Sequence, residues 1–231
     1  MSKNRTIVDS IESLHSFVEE TSRGNVWHCV FRGVTDSKKH KLVPSIGRPG
    51  PGEKIYSAAD ERRMLLVFKE LALPHIAHVP DSDWEWLVIA QHHGLPTRLL
   101  DWTYNPLVAT FFAIEKEFEG ASAIYAMTYS DTLSVADNPD PFSVKDVMRV
   151  RTNHVTRRVA AQSALFTIHG RPEVPFAPHE GLRKARIPQE ARNHLKEQLY
   201  TYGISRGSLF PDLDGLAEEI KWRYANPRGK P

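Results

Sequence analysis

The sequence predicts an α+β fold: one domain over residues 1–231, with a central mixed β-sheet flanked by helices. Three observations predict it. Segments such as "SDWEWLVIAQHHG" (82–94) run from a helix cap to a glycine stop; β-rich runs such as "NVWHCVFRGV" (25–34) stand between them; and the two signals alternate with no internal repeat or long low-complexity linker. At 231 residues, 41% of them hydrophobic, the chain is long enough for one sizeable core.

Each element has its own warrant. Residues 1–24 read as an N-terminal helix with Ile7, Ile11, Leu14 and Phe17 on one face, stopping at Gly24. The strand over 25–34 puts Trp27, Cys29 and Phe31 on one face, and "PSIGRPGPG" (44–52) is a loop by its Pro and Gly content. Ser57 caps a helix to about Leu73, with Leu65, Leu66, Phe68 and Ala72 as its apolar positions. Ser82 with Glu85 forms a capping-box signature for the next helix, which stops at Gly94. "TRLLDW" suits a short buried strand; Asn105 and Pro106 then start a helix that the pattern carries to Gly120. "ASAIYAMTY" (121–129) reads as a strand buried on both faces. Residues 130–157 hold a Pro-rich loop and a short helix at "VKDVM"; "SALFTIHG" (163–170) reads as a strand, and a polar, Pro-containing loop follows before "KARIP". Helices from Gln189 to about Tyr202 and from Asp212 to about Tyr224 close the domain, with 225–231 as a flexible tail. The sum is four to six strands, their order unread.

Composition narrows the function classes. The net charge of +2 announces no nucleic-acid or anionic-membrane partner, and "KKHK" (38–41) lacks interleaved aromatics. One cysteine, Cys29, excludes an internal disulfide and a multi-cysteine zinc site and fits a reducing compartment. The opening residues carry acids where a secretion signal needs an apolar run, and no stretch has the apolar length of a membrane span. A cytoplasmic protein is expected. Phosphate-loop and nucleophile-elbow motifs are missing, and no metal is expected: His92 and His93 are adjacent and diverge on a helix, while His75 and His78 are bracketed by prolines.

Candidate site residues sit at strand ends and beside glycines. Arg32, followed by Gly33, offers a fork of donors for phosphate or carboxylate, or pairs with a buried Asp. Ser45 and Arg48 add loop donors. One of His92 and His93 faces a cleft or caps its helix, where an imidazolium complements the macrodipole. Thr97, Arg98, Asp101, Trp102 and Thr103 form the densest cluster; in an extended strand Asp101 and Thr103 share a face and Arg98 takes the other. Asp101 faces a ligand or pairs with Arg32 or Arg98. Gln162 stands before the "SALFTIH" strand and His169 ends it beside Gly170.

"FRG" (31–33), "LVPSIGR" (42–48), "ERRMLLVFKELA" (61–72), "QHHGLPTRLLDWTYNPLVATFFA" (91–113), "AAQSALFTIHG" (160–170) and "GISRGSLFPDLDGLAEEI" (203–220) resemble the FRG domain, in the family's order, over about residues 25–222. That resemblance implies a bacterial or phage-associated setting, including toxin and antiviral defence systems. A weaker likeness to ADP-ribosyltransferases implies a split sheet and NAD as substrate. In that likeness "VFRG" is the first element, "LLDWTYNPLVATFFA" the second with Thr103 bracing the cleft, and "QSALFTI" the third with Gln162 near the position of a catalytic Glu; Arg32 would grip the NAD diphosphate. Gln162 lacks the negative charge that an oxocarbenium-like transition state calls for, which leaves that task to Asp101 or an acid within 173–190. Two further readings stand beside NAD chemistry. One is metal-free RNA cleavage by His92 or His93 with Asp101 and an arginine; the other is a non-catalytic module that recognises a small nucleotide or a partner. The acceptor is left open.

Overall fold

The computed structural model describes residues 6–22, 29–52, 54, 56–128, 132–151, 157–178 and 181–225. In chain order its elements are α1 (Ile11–Ser22), β1 (Cys29–Val34), α2 (Ala58–Ala72), α3 (Asp83–His92), β2 (Leu99–Thr103), α4 (Pro106–Ile114), β3 (Ser122–Thr128), β4 (Thr132–Leu133), β5 (Val147–Val150), α5 (Arg157–Ala161), β6 (Ala164–His169), β7 (Leu182–Ile187), α6 (Arg192–Thr201), α7 (Arg206–Leu209) and α8 (Leu213–Ala225).

Local chemistry explains where most helices begin and end. Ser57 and Asp60 close a reciprocal capping box at α2, because the Ser57 side chain accepts from the Asp60 N–H and Asp60 accepts in return. Ser82 accepts from Glu85 N–H at α3, whereas the Glu85 carboxylate takes the N–H of Asp81, one residue before the cap. Asn105 accepts from Leu107 N–H, and Pro106 occupies the first turn of α4, where its missing N–H costs nothing. Gly94 has φ +89°, the left-handed conformation that ends α3 without a Cβ penalty.

Among the described residues seven strands form one mixed sheet in the order β4-β5-β6-β2-β1-β3-β7, antiparallel except for β4 and β5. Its middle is weakly joined. β1 pairs with β3 through six residues and β2 with β6 through five, yet β1 and β2 register only at Phe31 and Thr103. The sheet is therefore continuous in order but opens between two well-paired halves.

Each half has its own core on the helical face. Phe17, Phe31, Phe111 and Leu195 belong to a cluster that joins α1, α4 and α6 to the β1-β3-β7 half; Leu65, Trp84, Leu99 and Phe166 belong to one that joins α2 and α3 to the other. On the opposite face Val30, Leu100, Trp102 and Leu165 pack under Leu42. Most of the free energy of folding comes from this burial, at about 25 cal/mol per Å² of apolar surface.

Several expectations are corrected. "VKDVM" supplies β5 instead of a helix, since Val147 and Met148 find backbone partners at His169 and Ile168 on β6. The helix after Asn105 ends at Ile114, well before Gly120. Leu66, expected in the core, is 56% exposed, because α2 turns Leu65 and Ala72 inward instead. Ile7 precedes α1 and forms a parallel bridge with Arg186. Two short helices are unanticipated, α5 before β6 and α7 before α8, and α8 runs through Ala225, into the expected tail. Trp27, Gly24 and residues 226–231 lie outside the described residues.

Candidate functional site

The opening between β1 and β2 is the floor of a cleft of about 350 Å³. Its apolar wall comes from Phe31, Phe112 and Phe166, and its polar lining from both faces of the sheet. Where the ladder stops, the Arg32 side chain enters the gap: Nη1 donates to the backbone carbonyl of Asp101 at 2.6 Å and lies 3.5 Å from its carboxylate. A guanidinium thus takes the place of a ladder N–H. Arg32 is mostly buried and, among the described residues, its Nε has no hydrogen-bond partner. Burial pulls its pKa down, the Asp101 charge opposes that shift, and the Arg48 charge adds to it; a guanidinium remains charged throughout the physiological range.

Asp101 keeps one side open. Its carboxylate is 58% exposed, and Gln91 Nε2 donates to Oδ1 at 2.6 Å. The hydroxyl of buried Thr97 donates to Gln91 Oε1, which fixes the amide so that its NH2 faces Asp101. Ser45 Oγ accepts from Thr97 N–H at 3.0 Å and so ties the 44–48 loop to the same network.

The cleft carries more positive than negative charge. Arg32, Lys41, Arg48, Lys116 and Arg158 line it, against the carboxylates of Asp101 and Glu115, and Glu115 is paired with Arg206. Arg158 lies over the Phe210 ring at 4.0 Å, and burial lowers its pKa while Asp212 and Asp101 oppose the shift. His92 also lines the cleft. Burial, with the Arg158 charge second, pulls its pKa to about 4, so its ring is neutral at pH 7.

The residues singled out in the sequence separate into two groups. Arg32, Gly33, Arg48, His92, Asp101, Trp102, Thr103 and Gln162 line the cleft. His93, Arg98, Thr97 and Ser45 do not. His93 is exposed at the C-cap of α3, its backbone N–H bonded to Ile89. Arg98, 2% exposed, makes a two-point ion pair with buried Glu61, at 2.8 and 2.9 Å. Within the cleft, Gly33 has a packing role, since a Cβ there would stand 1.9 Å from the Ala109 carbonyl oxygen of α4. Thr103 Oγ1 donates to the Gln162 carbonyl at 2.7 Å, and Gln162 Nε2 donates to the Leu209 carbonyl at 3.1 Å. Trp102 is buried and donates to Thr167 Oγ1.

Sequence reasoning overlooks Gln91, His40, Lys116 and Arg158 as lining residues. Gln91 had a signal: it is the first polar side chain after the buried run Trp86 to Ala90, so it stands at the rim of an inward-facing helix. Arg158 had none, because α5 reaches the cleft only through tertiary packing.

Behind the floor, His169 is fully buried with Nε2 3.0 Å from Thr167 Oγ1, while Nδ1 has no partner among the described residues. Trp102 donates to that same hydroxyl, so Thr167 Oγ1 links the indole N–H to the imidazole. Burial, with Arg32 second, pulls this pKa to about 4 from 6.5. The folded protein keeps the ring neutral where the unfolded chain binds a proton, so stability is full above pH 6.5 and declines as pH falls toward 4. Urea unfolding at pH 7 and pH 5 is expected to show a loss on the order of 2 kcal/mol from this group; His169→Gln, whose amide can still bond the Thr167 hydroxyl, should flatten that dependence.

No curated protein and no solved structure matches the chain. The family model of the FRG domain does match, over residues 27–121. Those residues include β1, α2, α3, β2 and α4, and so Arg32, Gln91, Asp101 and Thr103 of the cleft. With Arg32 in the sheet opening and Gly33 against α4, the Phe-Arg-Gly run has a defined structural place within residues 27–121, the part of the chain that is similar to the FRG domain.

Proposed function

We propose that the cleft binds a nucleotide and acts on the glycosidic bond of NAD, either hydrolysing it or transferring ADP-ribose to an acceptor. One observation carries the reading: a buried arginine occupies the opening of the sheet beside a half-open carboxylate, in a cleft with excess positive charge. Arg32 and Arg48 suit a diphosphate, for which forked donors are the preferred partners. In the reaction the bond from ribose C1′ to the nicotinamide nitrogen breaks, the electron pair leaves with nicotinamide, and water or an acceptor oxygen or nitrogen bonds to C1′ and gives up its proton. Positive charge develops on the ribose, and Asp101 is the carboxylate placed to stabilise it. Gln162 holds the Leu209 carbonyl with its amide and supports the wall.

A cell in which such a protein drains NAD stops growing, which makes this a toxin- or defence-type effector. The family match supports the domain and not that setting, which follows from the chemistry proposed. RNA cleavage by His92 or His93 with Asp101 and an arginine finds less support: His93 is exposed outside the cleft, and burial pulls the pKa of His92, which lines it, to about 4, too low to serve as a general acid at pH 7.

Calorimetry with ADP-ribose and chromatographic assay of NAD consumption test the reading. The wild type should bind ADP-ribose and release nicotinamide. Arg48→Ala should weaken binding by roughly tenfold to a hundredfold, the loss of one charge-assisted contact. Asp101→Asn should bind normally and lose turnover. Binding with intact NAD would leave a recognition module and overturn the catalytic part; no binding of ADP-ribose or NAD would overturn the whole.

A further inference from the structure

We infer that a single-stranded nucleic acid docks beside the cleft, on a second basic depression formed by the 36–41 loop and the β7 edge. The sequence separates its components by more than 140 residues, so neither basic run is informative alone. The fold joins them. β1, β3 and β7 are neighbours, with Arg32 opposite Tyr125 and Tyr125 opposite Lys184, so these three side chains form one cross-strand row on one face. Lys184 Nζ lies 4.9 Å from the Tyr125 ring centroid and donates to the Ser37 carbonyl at 2.5 Å, which ties the loop to the sheet edge.

The resulting depression, about 320 Å³, is lined by Ser37, Lys38, Lys184 and Arg186, three cations with no carboxylate among them. The one acid of the loop, Asp36, turns inward to accept the backbone N–H groups of Lys38 and Lys39, and these bonds hold its pKa below the usual carboxylate range. The next residues of the same loop, His40 and Lys41, line the cleft. One short loop therefore supplies cations to two adjacent concave seats.

This arrangement favours a flexible chain of phosphates. A planar lipid surface meets a concavity poorly, whereas a single strand can bend into this depression and pass along the rim of the cleft, in the manner of basic grooves that track a nucleic-acid backbone. The inference concerns a surface that the NAD reading does not use; it rests on that reading only in that the docked strand would then lie beside the reaction.

Fluorescence anisotropy with a labelled oligothymidylate of about twelve nucleotides, titrated at several salt concentrations, tests it. The wild type should bind, with affinity falling steeply as salt rises. Lys38→Glu combined with Lys184→Glu and Arg186→Glu should weaken binding by at least about tenfold and reduce the logarithmic salt slope by about 2, at about 0.7 per lost contact on a single strand. Affinity for ADP-ribose should stay at the wild-type value, which separates this surface from the cleft. Because Lys184 and Arg186 belong to a strand, Lys38→Glu with Lys39→Glu, confined to the exposed loop, provides a second variant expected to lose at least about threefold. Wild-type affinity in both variants, no oligonucleotide binding by the native protein, or binding only to phosphatidylserine vesicles would each overturn the inference.

Discussion

Replacing Arg98 with alanine should destabilise the protein by about 3–5 kcal/mol, because it leaves the Glu61 carboxylate buried without its partner. Both side chains are almost inaccessible, at 3% and 5%, and the two bonds at 2.8 and 2.9 Å are the forked geometry that only an arginine provides. Arg98 also lies 5.0 Å from the centroid of Phe142 and 37 residues from Glu61, so the pair ties β2's leading edge to α2 and to the 141–143 turn. Urea unfolding at pH 7 checks the magnitude. Arg98→Lys should lose a large part of the same energy, since an ammonium cannot make both bonds. The double replacement Glu61→Leu with Arg98→Met should cost much less than Arg98→Ala, because it removes both desolvated charges together. A loss below about 1 kcal/mol in Arg98→Ala would mean that water reaches Glu61 and that the pair is not the anchor described here.

Gly33→Ala should cost roughly 3 kcal/mol or more, at the upper end of overpacking effects. A Cβ at this position would meet the Ala109 carbonyl oxygen at 1.9 Å and the Ala113 nitrogen at 2.6 Å. Both are backbone atoms of α4, so no side chain can swing aside and the helix itself must move. That specifies the control: Ala109→Gly should fail to rescue Gly33→Ala, because the obstructing atom remains. Since α4 also carries Ala109 and Phe112 into the cleft, the folded fraction of the variant should bind ADP-ribose more weakly than the wild type. Urea midpoints together with calorimetry measure the two effects separately. Wild-type stability in Gly33→Ala would show that β1 and α4 do not approach as closely as the structure places them.

The two residues of the Phe-Arg-Gly run after its phenylalanine thus serve different ends. Arg32 projects through the opening of the sheet to the Asp101 carbonyl, and Gly33 brings the helix down onto the same strand. The sequence shows Arg32 as a forked donor at a strand end beside a glycine, but it offers two partners, a ligand and a buried acid. In the structure Arg32 meets an acid, Asp101, whose own carboxylate is still more than half exposed. The two alternatives are therefore compatible: pairing with Arg32 leaves Asp101 open to the cleft.

What the chain determines by itself is local. Ser57, Ser82 and Asn105 start helices because their side chains accept N–H groups two or three residues away, and Gly94 stops one because it tolerates a positive φ. The alternation of β2 likewise places Asp101 and Thr103 on one face without help from the rest of the molecule. Tertiary structure decided what depends on distant partners. "VKDVM" became a strand because β6 offered its backbone, Arg98 left the candidate site because Glu61 lay within reach, and Gln91 and Arg158 entered it because α3 and α5 converge on the sheet opening. The physical reason is the range of the interactions: caps, turns and alternation act over a few residues, whereas ion pairing, strand pairing and the shape of a cleft depend on which surfaces the packed core brings together.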